Sequence, residues 1–162
     1  PPPAAPPTTA APLAEAEWRA GSTQWRPPRS PLGLLEELLW DRPWALVVCC
    51  ILLNQTSRVQ VDPVLCRLLR QMPDAAALAS AEPAQLEALL RPLGLHRRRA
   101  QTLIEMSRAF LGGSWRRGEE LPGVGKYAAD AYAIFCLGRW REVAPNDHAL
   151  NAYHEWLGSI AA

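Results

Sequence analysis

Apolar residues recur along this chain at the three- and four-residue spacing of helices, and no segment alternates as a half-buried strand would. Ser30-Pro31 is typical of a helix start, and the four leucines between positions 34 and 39 would form the apolar stripe of that first helix. The pattern predicts further helices at about residues 43–53, 59–71, 73–79, 83–90, 96–111, 126–137 and 148–157. We therefore expect an all-α fold.

The helix predicted at 43–53 is apolar on every face. It contains no charged residue, which indicates a helix surrounded by other elements rather than one with a solvated side. The apolar stretch is too short to cross a bilayer, and no longer one exists in the sequence. We expect no membrane partner.

The composition predicts one folded domain. A chain of 162 residues with 49% hydrophobic residues can form one core of its own. Residues 1–20 are rich in proline and alanine and are typical of a linker or disordered tail of a larger protein, which places the domain at 21–162. The net charge of +1 does not by itself indicate nucleic-acid binding, so that function must be argued from local geometry.

The positions of cysteine and histidine argue against disulfides and metal ions. The cysteines lack the regular spacing of a disulfide framework, and we expect reduced thiols in the core at Cys49, Cys50, Cys66 and Cys136. The histidines have no second ligand at helical spacing, so we expect no metal at His96, His148 or His154. No cofactor is expected.

The segment Leu121-Pro-Gly-Val-Gly-Lys-Tyr127 carries the clearest candidate chemistry. Gly123 and Gly125 bracket one apolar residue in a turn, and a helix begins at Lys126. Such a turn exposes backbone N–H groups at the helix start, where the free donors and the helix dipole both favour an anion. The sequence therefore predicts a phosphate contact at this turn.

Five further motifs accompany it: Trp25-Arg-Pro-Pro-Arg-Ser-Pro31, Asp41-Arg-Pro-Trp44, Leu53-Asn-Gln-Thr-Ser57, Arg91-Pro-Leu-Gly-Leu95 and Pro145-Asn-Asp-His148. Together they resemble the helix-hairpin-helix DNA glycosylases, in particular the thymine and uracil mismatch glycosylase domain of the methyl-CpG-binding-domain type in its plant-like version. The resemblance covers about residues 25–158. It implies two helical lobes flanking a DNA cleft. The iron–sulfur cluster of some relatives is not expected, because no cysteine follows Asp147.

The resemblance implies catalytic roles for Asp147 and Tyr127. The acid would stabilise the positive sugar formed as the N-glycosidic bond breaks, and would position or deprotonate the attacking water. Bifunctional relatives carry a lysine where Tyr127 stands, and Lys126 is one residue too early, a rotation of roughly 100° on a helix. We therefore expect a monofunctional enzyme. The alternatives are a helix cap for Asp147, ordinary packing for Tyr127 and a surface charge near phosphate for Lys126.

Gln55 matches the finger that fills the space left by a flipped nucleotide, and Asn54 directly before it is a further candidate DNA contact. The mismatch enzymes usually carry arginine where Gln55 stands, so an attraction to phosphates would be lost. Leu95 matches the wedge beside the estranged guanine, and the arginines at 97–99 could approach phosphates. The alternatives are a polar helix end for Gln55, a core position for Leu95 and a solvated face for the arginines.

Glu36 matches a position, usually glutamine, that helps to hold the flipped pyrimidine. An ionised carboxylate only accepts hydrogen bonds, so it suits a pyrimidine N3–H better than the O2 or O4 atom. The alternative is an exposed residue of an amphipathic helix beside Glu37. The family's lysine shortly after the catalytic acid is Ala149 here, which removes another positive charge.

The sequence therefore predicts a monomeric, nuclear DNA glycosylase that flips thymine or uracil out of a mismatch with guanine and hydrolyses its bond to the sugar. Its partner would be double-stranded DNA with a mismatched or damaged base, and downstream abasic-site repair enzymes could follow it. One alternative is a non-catalytic hairpin module that binds DNA. Glu36 and Gln55 also leave open a glycosylase for adenine or an oxidised purine, and the CpG preference stays open.

Overall fold

The computed structural model describes residues 25–161. The predicted linker at 1–20 and the start of the predicted domain at 21–24 lie outside the described residues. The described part of the chain is helical and contains no strand, so the all-α prediction is confirmed. Its α-helices are α1 (Pro43–Leu53), α2 (Arg58–Gln71), α3 (Ala75–Ala79), α4 (Pro83–Leu90), α5 (His96–Gly112), α6 (Lys126–Ala131) and α7 (His148–Ala161).

Helix α1 is the centre of the fold. Every residue from Pro43 to Leu52 is buried, as its uncharged sequence predicts, and the proline at the first position suits a helix start. Helices α2, α5 and α6 pack around it. The indole N–H of Trp44 donates to the Ser107 hydroxyl of α5 at 2.9 Å, which satisfies two polar groups inside the core.

The surrounding helices begin at polar caps. The Ser57 hydroxyl accepts from the N–H of Gln60 at the start of α2, and the Asp74 carboxylate accepts from Ala77 at the start of α3. Because Asp74 is the cap, α3 begins two residues later than the predicted start at 73. Helices α3 and α4 pack against α5, whose buried face includes Leu103, Met106 and Phe110.

The first predicted helix is wrong. Its leucines form only a 3₁₀ turn, Leu35–Leu38, and Leu38 is half exposed. The Glu37 carboxylate folds back to accept from the N–H and hydroxyl of Ser30 (2.6 and 2.8 Å) and from the N–H of Leu34 (2.9 Å). A longer helix capped by Ser30 would direct the Leu34 N–H to the Ser30 carbonyl, but here the Glu37 carboxylate takes that donor, and the segment closes as a turn.

Two other elements differ from the sequence prediction. The helix predicted at 126–137 is α-helical only to Ala131 and continues as a π-helical segment, Tyr132–Cys136. Helix α7 extends beyond the predicted 157 to Ala161. No helix between residues 25 and 161 is both long and apolar enough to cross a membrane.

The cysteine prediction is partly wrong. All four thiols are free, and those of Cys49, Cys50 and Cys136 are buried as expected. Cys66 is exposed on the outer face of α2. The apolar neighbours of Cys66 in sequence, Val64 and Leu65, face the core, and at helical spacing the next residue turns away from it.

Candidate active site

A cavity of about 370 Å³ lies where the end of α1, the loop to α2, the start of α6 and the start of α7 meet. We call it the active-site cavity. It brings together four of the predicted site residues, Asn54, Gln55, Tyr127 and Asp147. The other lining residues are Leu53, Thr56, Ser57, Arg58, His148 and Ala149.

Asp147 caps α7 and also faces the cavity. Its Oδ2 atom accepts from the N–H of Leu150 at 2.9 Å, and its backbone carbonyl accepts from Asn151 at 2.8 Å. The side chain is exposed, and between residues 25 and 161 its Oδ1 atom has no hydrogen-bond partner. The predicted cap is therefore present, and it occupies one carboxylate oxygen while the other faces solvent.

Tyr127 joins the cavity to a buried carboxylate. Its hydroxyl donates to Glu36 Oε1 at 2.7 Å. Burial raises the pKa of the phenol well above its usual range, and the neighbouring Cys50 and Glu36 raise it further. Tyr127 therefore stays protonated and acts as a hydrogen-bond donor, which is more specific than the packing role considered above.

Glu36 is fully buried, so the interpretation of it as an exposed residue of an amphipathic helix is wrong. Its carboxylate accepts from Tyr127 and from Arg58 Nη1, which lies 3.1 and 3.2 Å from the two oxygens. Glu37 is buried as well, because its own carboxylate caps the preceding turn. The Glu36 carboxylate thus lies behind the cavity wall, where it is paired with the Arg58 guanidinium.

Arg58 is a cavity residue that no sequence motif indicated. Burial lowers the pKa of its guanidinium, but the Glu36 carboxylate outweighs that effect and leaves the pKa above its usual value. Arg58 lines the active-site cavity and is the first residue of α2. A cation is unfavourable at a helix N-terminus. The position of Arg58 at the start of α2 is therefore the sequence signal that could have indicated a pairing with a distant acid.

Lys126 points away from the active-site cavity. Its Nζ atom lies 2.5 Å from Asp130 Oδ2 and donates to the carbonyl of Ala144 at 2.8 Å. It lines a different recess of about 560 Å³, together with Arg116, Arg139 and their neighbours. The ammonium is thus ion-paired within the domain while its side chain stays half exposed, as the surface-charge alternative expects.

Gln55 and Leu95 have unusual backbones. Their φ angles are 62° and 50°, in the left-handed region that residues with a side chain rarely adopt. Both side chains are exposed, and Leu95 is 62% accessible, so the core interpretation of Leu95 is wrong; Leu93 is the buried leucine of this segment. The two residues line a second cavity of about 250 Å³ with Arg98 and Gly123, which we call the wedge cavity.

The three arginines at 97–99 do not form one solvated face. Arg97 and Arg98 are exposed, whereas Arg99 is buried. The Arg99 guanidinium donates to the carbonyls of Leu52 and Asn54 at 2.9 and 3.1 Å. Arg99 is therefore an internal link between α5 and the end of α1.

The hairpin turn at residues 121–125 lies between a 3₁₀ turn, Gly118–Glu120, and α6. Gly123 has φ 79°, and a Cβ atom there would lie 2.3 Å from Thr102 Cγ2 of α5. Gly125 has an ordinary backbone and open space around its Cα atom. No side chain caps α6, so its first N–H groups lack the partner that a polar residue at Gly125 would provide.

Metal ligands are not grouped in the described residues: between 25 and 161, no three or more His, Cys, Asp or Glu side chains are placed to share a metal ion. His154 contacts the Trp140 carbonyl through Nε2 at 2.7 Å. His148 is exposed at the edge of the active-site cavity.

An all-α domain in which an exposed aspartate and a tyrosine line one cavity agrees with the fold that the sequence resemblance implies. Residues 48–161 match the HhH-GPD superfamily of base excision DNA repair proteins. The chain belongs to this superfamily, and the sequence-based identification is confirmed.

Similar proteins include two curated relatives and a solved structure. A methyl-CpG-binding domain protein 4-like protein of Arabidopsis thaliana is 46% identical over 133 residues, covering 82% of this chain and 30% of the relative. A thymine-DNA glycosylase of Aeropyrum pernix is 40% identical over 103 residues, covering 59% of this chain and 46% of the relative. The chain thus spans less than half the length of each.

The structure of a thermostable thymine-DNA glycosylase superposes with a TM-score of 0.56 and 19% identity, covering 78% of this chain and 58% of the other. At that identity the likeness supports the fold alone.

Proposed function

We propose that this chain is a monofunctional DNA glycosylase that removes thymine or uracil opposite guanine. The observation that carries the proposal is the active-site cavity, where the carboxylate of Asp147 and the phenol of Tyr127 line one space. Membership in a base excision repair superfamily and likeness to proteins named thymine-DNA glycosylase support the same chemistry.

The reaction breaks the bond between the sugar and the base. The target cannot react inside the duplex, so it is flipped into the active-site cavity at a cost of a few kcal/mol, which is smallest for a mismatched base. As the bond lengthens, the sugar becomes positive and the base negative. The free Oδ1 atom of Asp147 stabilises the positive sugar and orients water, while the cap holds the carboxylate in place through Oδ2.

The monofunctional part of the proposal rests on where amines are found. A bifunctional glycosylase needs an amine to attack the sugar. Lys126 is the only lysine in the 162-residue sequence, and its Nζ is bound to Asp130 and to the Ala144 carbonyl, outside the active-site cavity. Water is therefore the nucleophile, and the product is an abasic site.

Base recognition would use the back of the site. Tyr127 and Arg58 lie at the cavity wall, and both are oriented by Glu36. Arg58 keeps N–H donors beyond the Nη1 group that binds Glu36, whereas the single O–H of Tyr127 is already donated to Glu36, so its oxygen can only accept from a base. Donors suit the carbonyl oxygens of thymine and uracil. Glu36 would accept the N3–H of the base only after giving up one of these bonds.

The proposed partner is double-stranded DNA. The hairpin turn with Gly123 and Gly125 would hold the backbone next to the flipped nucleotide, which gives position without sequence readout. Gln55 and Leu95, exposed at the rim of the wedge cavity, would occupy the space that the flipped nucleotide leaves. A monomer acting in the nucleus, followed by enzymes that process abasic sites, completes the proposal.

The test is strand cleavage of end-labelled duplexes that carry G·T, G·U, G·C or 8-oxoguanine·A. We expect breaks at G·T and G·U only, and only after alkali. Breaks without alkali would contradict the monofunctional part. Cleavage at 8-oxoguanine·A alone would indicate a purine glycosylase, and binding without cleavage of any duplex would indicate a non-catalytic hairpin module.

A further inference from the structure

Arg99 connects the two exposed segments at the rim of the wedge cavity. Its guanidinium donates to the carbonyls of Leu52 and Asn54, the last of which directly precedes Gln55. Its backbone N–H donates to the carbonyl of Leu95 at 2.9 Å. The bond to Leu95 is the first backbone bond of α5, which begins after Leu95, so the Arg99 side chain ties the segment before Gln55 to the helix that carries Leu95.

Both segments need such support. Left-handed backbone at a residue with a side chain costs about 1–2 kcal/mol and persists only where the surroundings fix it. At Gln55 the support is polar, because the carbonyls at the end of α1 have no partner within the helix and the buried guanidinium supplies one. The positive charge also interacts favourably with the C-terminal end of the α1 dipole.

The geometry of arginine suits this link better than that of lysine. The planar guanidinium presents several N–H groups in a fixed fork, so Nη1 and Nη2 reach two carbonyls that are two residues apart. Arg97 and Arg98 are exposed, and in the described part of the chain the two carbonyls accept from Arg99 rather than from either of them; Arg98 lines the wedge cavity from its exposed side. Arg99 alone of the three is 9% accessible, which excludes a primary role as a phosphate contact.

We propose that Arg99 is a positioning residue that sets Gln55 against Leu95 before DNA binds, so that finger and wedge enter the duplex as one rigid unit. The proposal rests on the proposed function. Because the finger and wedge segments are already ordered in the free protein, binding and base flipping cost no further conformational entropy in these segments. Without Arg99 the finger segment would sample other backbone conformations, and opening of the base pair would slow.

A double-mutant cycle tests whether Arg99 acts through Gln55. Single-turnover excision of uracil opposite guanine is measured at saturating enzyme for wild type, Arg99→Met, Gln55→Ala and the double variant. Loss of two hydrogen bonds from a charged donor predicts about a tenfold slower rate for Arg99→Met. In the Gln55→Ala background the same change should slow excision by less than about threefold, because coupled residues are not additive.

Arg108→Met is the matched control, since Arg108 is an exposed arginine on the same helix. Its rate should stay near that of wild type. If Arg99→Met does not fold, Arg99→Lys replaces it in the cycle, because it keeps the charge and removes the fork.

Two results would overturn the role of Arg99. One is an equal slowing by the Arg99 substitution in both backgrounds, which is the mark of a purely structural residue. The other is a rate for the Arg99 variant equal to that of Arg108→Met. A wild-type protein that excises no uracil would instead overturn the proposed function, and this role with it.

Discussion

Glu36 buries a charge behind the active-site cavity, and Arg58 is the cation that compensates it. The Glu36 side chain has no accessible surface, and its oxygens contact Arg58 and Tyr127. Removing a charge from water costs several kcal/mol unless a partner and hydrogen bonds replace the lost solvation. The stability of the site therefore depends on this pair as a unit.

Arg58→Met should lower the free energy of unfolding by about 3 kcal/mol, because it leaves a buried carboxylate without its cation. Adding Glu36→Gln should restore part of that loss, since a neutral amide oxygen still accepts from Tyr127. Urea denaturation at neutral pH measures both changes. Arg70→Met, an exposed change on the same helix, is the control and should stay within about 0.5 kcal/mol of wild type. A double variant no more stable than Arg58→Met would refute the account of this pair.

The sequence motifs pointed to Asp147, Tyr127 and Gln55, and the structure places all three on one cavity. They did not point to Arg58, and they grouped Arg99 with its two neighbours as phosphate contacts or a solvated face. Arg58 pairs with an acid 22 residues earlier, and Arg99 binds a carbonyl 45 residues earlier. Such contacts depend on how helices pack, which neither local spacing nor composition encodes.

At the level of elements, the two glycines of the hairpin turn are not equivalent. Gly123 has a left-handed backbone and packs against Thr102 of α5 and Ile51 of α1, whereas Gly125 has open space. The hairpin is thus fixed to both helices that border the wedge cavity. This packing therefore requires glycine at position 123 but not at position 125.

Gly123→Ala should therefore lower the free energy of unfolding by about 2–4 kcal/mol, from backbone strain plus the contact with Thr102. Gly125→Ala should change it by less than about 1 kcal/mol. Thermal and urea unfolding of the two variants measure the difference. Thr102→Ser, which removes the Cγ2 atom, should recover part of the Gly123→Ala loss. Equal effects at the two glycines would contradict the packing described here.

Helix prediction succeeded where apolar periodicity dominates. The bounds of α1 and α4 match the sequence pattern, and those of α2 and α5 differ by one residue at one end. It failed where a side chain competes with the backbone. In place of the first predicted helix only a short turn forms, and there the Glu37 carboxylate binds the N–H groups of Ser30 and Leu34. The change from α6 to a π-helical segment has no local sequence signal.

On the scale of the whole molecule, the active-site cavity exists because three segments from distant parts of the chain meet at the end of α1. The end of α1 and the start of α2 contribute Gln55 and Arg58, α6 contributes Tyr127, and the start of α7 contributes Asp147. The central helix is buried from Pro43 to Leu52, so this junction is built on a rigid base. A rigid base suits the proposed reaction, in which a carboxylate is held at a fixed distance from a flipped sugar.

The most direct test is the rate of uracil excision from a G·U duplex by Asp147→Asn. The asparagine oxygen can still accept from Leu150, so the helix cap and the fold should remain. Asp74→Asn, the same change at the cap of α3 and outside the active-site cavity, is the control. We predict a rate about 100- to 1000-fold below wild type for Asp147→Asn, with duplex binding and melting temperature preserved, and a wild-type rate for Asp74→Asn. Excision at the wild-type rate by folded Asp147→Asn would contradict the account.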